Sequence, residues 1–457
     1  MLKDMTKGSA AKLILAFTIP MFIGNVFQQL YNMVDSVVVG RFVGPGALAA
    51  VGTSSPIIFF LISLVMGLTM GSGIIISQFF GAQQMGQVRR AASTALIFQT
   101  VCGLLLSVIG FLLSRPLLSL LRTPPEIIND SVAYMRIYFC GLIFMFTYNT
   151  LSSILRALGD SKTPLYFLAV SAVTNTILDV FFVARLGWGV AGVAWATLIA
   201  QALSSLLCVH YITRKVPILQ FSREQFVFDR EMFKMMAKIG IPSSVQQSVV
   251  SMGMMAVQGL INSFGSVTMA AYTAAARLDS FAMMPVQNFG MALSSFAGQN
   301  IGAGRLDRVH QGLRATLAMV IGACVTVSLL VFLFGPQLIQ IFISADQVEV
   351  ISRGVEYMRT VSIFYAVFSV MIVTSGLLRG AGDTVVTMAT SLFDLGTRVV
   401  AAYWLTTLPA LGYRGIWWSI PIGWSVSAVI PVVRYFTGGW KAKAVVRQQM
   451  FERPAAD

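Results

Sequence analysis

Charge is scarce in this chain. Of 457 residues only 18 are Asp or Glu and 32 are Lys or Arg, so charged side chains make up 11% of the sequence. A soluble chain carries roughly twice that share, which excludes an ordinary water-exposed surface. Cysteine is scarcer still, with four in the chain. Cys102, Cys140, Cys208 and Cys324 lie singly inside apolar runs without Cys-x-x-Cys spacing, which excludes a disulfide scaffold or a thiolate metal site. His210 and His310 are the only histidines, and no zinc-ligand spacing includes them. There is no Gly-x-x-x-x-Gly-Lys-Ser/Thr loop and no nucleophile elbow, so neither ATP hydrolysis nor acyl transfer is carried here. The chain reads as no enzyme and needs no cofactor. Whatever work it does draws its energy from elsewhere.

What is present in quantity is apolar residues, 56% of the chain. A bilayer span takes about 20 of them. Twelve such runs can be laid down, at 13–38, 51–80, 92–113, 132–155, 164–185, 189–212, 238–263, 270–300, 314–334, 355–378, 384–407 and 413–435. Runs of this length exclude a β-barrel, whose strands need only about ten residues. The fold class is therefore all-α, with twelve transmembrane helices in two six-helix lobes. The lobes are 1–213 and 238–457, the second with a cytoplasmic tail, joined by a cytoplasmic linker at 214–237.

Orientation follows from the basic residues. With the N-terminus inside, the cytoplasmic set holds Lys3, Lys7, Lys12, Arg89, Arg90, Arg156, Lys162 and Arg379. It also takes in Arg214, Lys215, Arg223, Arg230, Lys234 and Lys238, then Arg305, Arg308 and Arg314, and finally Arg434, Lys441, Lys443, Arg447 and Arg453. Both termini are thus expected in the cytoplasm of a multi-pass protein of the plasma (inner) membrane. The net charge of +14 sits in short loops, where it suits anionic lipid headgroups better than nucleic acid. No small-residue cleavage site follows the first apolar run, so it is read as a span and not as a removable signal.

The two halves repeat one another about 220 residues apart. Gln78-Phe-Phe-Gly81-Ala82 returns as Gln299-Asn-Ile-Gly302-Ala303, and Arg156-Ala-Leu-Gly159-Asp160 as Arg379-Gly-Ala-Gly382-Asp383. Gly189, Gly192 and Trp195 return as Gly412, Gly415 and Trp418. Ile19-Pro20 and Ile241-Pro242 open the copies, as bending points or as plain helix starts. A duplicated membrane unit is a common way to build a site open to either side in turn. The passenger's cavity is expected between the bundles. Close helix approach is expected where small residues crowd, above all at Gly67, Gly71 and Gly73.

Polar side chains inside spans each need a reason, since an Asp at a helix centre costs about 2.5–3.5 kcal/mol on insertion scales. In the first span Gln28, Tyr31, Asn32 and Asp35 share one helical face; in the fifth, Ser171, Asn175 and Asp179 do the same. With Thr197 of the sixth, the two carboxylates, one amide and one hydroxyl can form an oxygen-rich site for Na⁺, or for H⁺ if the acids share a proton. The plainer alternative is helix-to-helix hydrogen bonding. The seventh span has no acid but carries Gln247, Ser251, Met254, Gln258 and Asn262 at helical spacing, and the eighth adds Asp279, Met283, Met284 and Asn288. A methionine-rich wall can mould itself to varied ligands, or it can be ordinary packing. Asp394 and Arg398 are spaced to pair along one helix, and Asp160 and Asp383 to cap helices.

Taken in order, Gln28-Gln-Leu-Tyr31-Asn32-Met-Val-Asp35, Val39-Gly40-Arg41, Gly81-Ala82, Arg156-Ala-Leu-Gly159-Asp160, Asn175-Thr-Ile-Leu-Asp179 and Gly192-Val-Ala-Trp195-Ala-Thr197 make the chain resemble the multidrug and toxic compound extrusion (MATE) family over nearly its whole length. The resemblance implies cation-coupled efflux of bulky amphiphilic or cationic small molecules, in exchange for H⁺ or Na⁺. It is closest to the DinF-like branch, whose first-lobe ion site would carry over to Asp35, Asn175, Asp179 and Thr197. The acid that the NorM-like branch places on helix seven is absent. A lipid-linked saccharide flippase of the same superfamily is the first alternative, and a non-transporting membrane receptor or channel the second. A monomer is expected.

Overall fold

In the computed structural model, residues 3–220 and 225–446 are described; Arg223, Arg447 and Arg453 of the basic set lie outside them. The described residues form thirteen α-helices: α1 (Ala10–Val38), α2 (Pro45–Gly81), α3 (Met85–Leu120), α4 (Ile128–Ala157), α5 (Lys162–Asp179), α6 (Gly189–Lys215), α7 (Arg230–Ser263), α8 (Gly265–Gly302), α9 (Leu306–Gln340), α10 (Val348–Ser362), α11 (Tyr365–Gly380), α12 (Thr384–Thr406) and α13 (Arg414–Phe436). Helices predominate because lipid offers the backbone no hydrogen-bond partners, so each amide must be satisfied within its own segment.

Nine of these helices are long and apolar enough to cross a membrane, and ten spans result if the bent pair α10–α11 counts as one. The expected twelve are reached only by counting α7 and α8, which fall short of that test. The tenth span is not straight: α10 and α11 meet at a 51° bend, with no proline or glycine between Ser362 and Tyr365.

The chain falls into two compact units. The first is Met1–Asp4 with Ile19–Gly240, and the second Met5–Thr18 with Ile241–Asp457. Pro20 and Pro242 lie well inside α1 and α7, so neither occupies a helix start. The unit boundary in each helix falls immediately before its Ile-Pro pair.

Within the first unit, α4 packs on α3, α6 and α2, and α5 on α6. Gly71 lets α2 meet the start of α7: a Cβ there would stand 2.5 Å from the Met236 carbonyl and 2.8 Å from the Gly240 amide. One apolar cluster brings Val38, Val39, Tyr134, Val183, Val190 and Val193 together. It includes two π-helical turns, Val39–Val43 after α1 and Val180–Arg185 after α5, which pack on one another. Within the second unit, α12 packs on α13, and α11 on α8, α9 and α13.

Helix ends met their predicted fate unequally. Asp160 Oδ1 accepts from the backbone amides of Lys162 and Thr163 at 3.1 and 3.0 Å, a working cap for α5. Asp383 makes no such cap. Its buried carboxylate accepts instead from Arg434 Nε at 2.7 Å, because a guanidinium from α13 reaches it.

Candidate functional site

The first unit collects acids where the sequence placed them on separate helices. Asp179 and Asn175 on α5 are fully buried and Thr197 on α6 nearly so. Asn175 Nδ2 donates to Thr197 Oγ1 at 3.4 Å, and Tyr31 Oη on α1 reaches the same oxygen at 3.5 Å. Asp35, one turn beyond Tyr31, interacts side chain to side chain with both Asp179 and Tyr31. Four of the predicted residues and Tyr31 are therefore together. Gln28 and Asn32 lie on exposed parts of α1, and Ser171 donates to the Ala200 carbonyl at 2.9 Å, tying α5 to α6.

The decisive feature is what the site lacks. Oδ1 of Asp35, Oδ1 of Asn175 and both carboxylate oxygens of Asp179 are buried with no hydrogen-bond donor reaching them. Buried acceptors of this kind are costly unless paired, more so when charged. Two carboxylates facing each other out of water cannot both stay ionised without a counter-charge. A proton between them, or a small hard cation among the oxygens, supplies it. No three His, Cys, Asp or Glu converge among the described residues, and the set of two carboxylates with neutral oxygens suits a monovalent ion better than a tightly held transition metal.

Tyr134 and Tyr138 on α4 were missed by sequence reasoning. Both lie near Tyr31, and Tyr134 lies near Asp35 and Asp179. Tyr134 had a signal: Ser131-Val-Ala-Tyr134-Met-Arg136 returns as Gly354-Val-Glu-Tyr357-Met-Arg359. Tyr138 had none, since its counterpart is Val361.

In the second unit the predicted polar stripe lies along one continuous helix, α7. Gln258 Nε2 donates to Asn262 Oδ1 at 2.9 Å, and buried Asn288 donates to the Met284 carbonyl at 2.8 Å. Met283 is buried and Met284 half-buried, while Gln247 is exposed. The side chains of Ser251 and Met254 lie outside the described residues. Asp279 is held from two sides, accepting from Tyr365 Oη at 2.6 Å and Tyr357 Oη at 3.3 Å. The expected helix pair forms, with Arg398 Nη2 3.3 Å from Asp394 Oδ2.

A model of the MatE family matches residues 20–181 and 242–404, one stretch in each half. The probable multidrug resistance protein YpnP of Bacillus subtilis (strain 168) is 33% identical over 96% of this chain and 98% of its own length. The probable multidrug resistance protein YoeA of the same organism is 31% identical over 97% and 96%. Among solved structures, the crystal structure of MATE in complex with MaL6 matches with a TM-score of 0.89 at 26% identity, covering 96% of this chain and 99% of that one.

Proposed function

This chain belongs to the MATE family of multidrug transporters, and on that footing we propose that Asp35 and Asp179, with Asn175 and Thr197, bind the coupling cation of a secondary antiporter. The cation is H⁺ or Na⁺, and lipophilic or cationic compounds leave in exchange. The observation that carries this reading is the group of buried acceptor oxygens without donors in the first unit. Burial makes the ionised, unpaired state expensive, which supports a cluster that takes up a cation. A gradient can act only if another conformation binds that cation less well. One positive charge moving across 100 mV supplies about 2.3 kcal/mol, enough to concentrate a neutral passenger roughly 50-fold.

The same residues favour the DinF-like branch, because α7 carries no acid between Pro242 and Ser263. A flippase for pyrophosphate-linked lipids would need unpaired cationic side chains within the spans. Here arginine within the spans is sparse, and Arg398 is paired with Asp394. A monomer in the plasma membrane, both termini cytoplasmic, completes the proposal.

Dye efflux from proteoliposomes, with Na⁺ and pH gradients imposed separately, tests it. Efflux should follow one gradient and vanish in Asp35→Asn and Asp179→Asn at unchanged melting temperature. Wild-type efflux in either variant at equal expression would refute the assignment.

A further inference from the structure

The internal repeat can be followed residue by residue, and it fails at the acid cluster. Where Tyr134 falls on Tyr357, the same spacing lays Ser171 on Asp394, Asn175 on Arg398, Asp179 on Ala402 and Thr197 on Ile420. With Ile19-Pro20 laid on Ile241-Pro242, Asp35 falls on Val257. Three oxygen-bearing positions have become Val257, Ala402 and Ile420, and all three are buried. The fourth has become a guanidinium, with a new carboxylate one turn before it.

The geometry of the second unit agrees with a filled site. Arg398 Nη2 lies 3.3 Å from Asp394 Oδ2, and the two side chains retain only 22% and 19% of their exposure. Arg398 Nε and Asp394 Oδ1 are buried without further partners, so each group depends on the other for its charge. Gly423 on α13 closes over the pair, since a Cβ there would stand 2.7 Å from Asp394 Oδ1. Asp279 is near enough to sense Arg398, but it already accepts from two tyrosines. In the first unit the same place has two carboxylates and no fixed cation.

We propose that Arg398 is a tethered cation, filling in the second unit the position that an exchangeable cation takes in the first, with Asp394 as its counter-anion. The second unit then offers no exchangeable cation there, and deleting the guanidinium uncovers a site for a small planar organic cation. The correspondence rests on the cation reading of the first unit, but the pairing and its test do not.

The test is the melting temperature of the purified full-length protein titrated with methylguanidinium chloride at millimolar concentration, with choline chloride as the ionic-strength control. Arg398→Ala should melt lower than wild type and recover by roughly 2–4 °C, saturably, with methylguanidinium alone. Wild type and Arg398→Ala/Asp394→Asn should give no such response. A folded Arg398→Ala that ignores methylguanidinium, or one whose response survives Asp394→Asn, overturns the proposal. Should Arg398→Ala give no folded protein, purification in methylguanidinium decides: recovery there but not in choline supports the tethered cation, and failure in both overturns it. The response should persist in Asp35→Asn/Arg398→Ala, and its loss would assign binding to the first unit and overturn the proposal. Efflux by Asp35→Asn alone separately judges the first unit's role.

Discussion

Thr197 is the smallest member of the acid cluster and its common acceptor. Its Oγ1 receives Asn175 Nδ2 and Tyr31 Oη at 3.4 and 3.5 Å. Thr197→Val keeps the shape and removes both contacts. Leaving buried donors without an acceptor costs about 1–3 kcal/mol each, so the variant should need roughly tenfold more coupling ion for half-maximal efflux, a factor of about 1.4 kcal/mol. Thr197→Ser should restore the wild-type value, because the hydroxyl and not the methyl is at issue. Titrating efflux against the driving ion reads both. An unchanged ion dependence in Thr197→Val would remove the threonine from the site. At this scale the sequence was informative because burying an acid in lipid is expensive: Asp35, Asn175 and Asp179 stood out against an apolar background. Gln28 and Asn32 shared the same helical face yet stayed exposed, since periodicity gives a face but not what that face meets.

At the scale of helices, Gly71 offers the sharper test. The atoms a Cβ would strike, the Met236 carbonyl and the Gly240 amide and Cα, are backbone and cannot rotate away. Gly71→Ala should therefore push α2 off the start of α7, at a cost of about 1–3 kcal/mol or more, seen as a lower melting temperature in detergent. Gly86, in the first turn of α3, has nothing within 4 Å of an added Cβ. Gly86→Ala should melt at or above the wild-type temperature, since alanine loses less freedom in a helix. Equal effects from the two would mean that α2 and α7 can separate freely. Crowded glycines were legible in the sequence because they exist to bring backbones together. The break between α10 and α11 was not. Hydropathy averages across it, no proline marks it, and Tyr357 and Tyr365, one in each segment, are both bound to Asp279, a contact that only the folded chain creates. The π-helical turns after Asp35 and Asp179 were equally invisible, for a π turn has no composition of its own.

For the whole molecule the repeat matters most, both where it holds and where it breaks. Matching motifs such as Gln78 with Gln299 and Gly159 with Gly382 mark two related halves in the sequence itself. The departures from the repeat, Asn175 to Arg398 and Asp179 to Ala402, are legible only once the structure says which positions form the site. On the proposed assignments charge transfer is unequal between the halves: the first unit exchanges its cation, and the second carries Arg398, which cannot leave. One monovalent ion should then enter per passenger exported. The passenger's own charge decides what the membrane potential can do, since each net charge crossing 100 mV is worth about 2.3 kcal/mol. Exchange of a monocation for one ion moves no net charge. Exchange of a neutral compound moves one charge inward, and exchange of a dication moves one outward. In right-side-out proteoliposomes an inside-negative potassium diffusion potential should accelerate export of a neutral substrate, leave a monocation unaffected and oppose a dication. Arg398 contributes nothing to this count while it stays tethered. A potential that speeds monocation export would require a second ion per cycle, and the search for its site would begin at Asp279, a half-buried acid of the second unit.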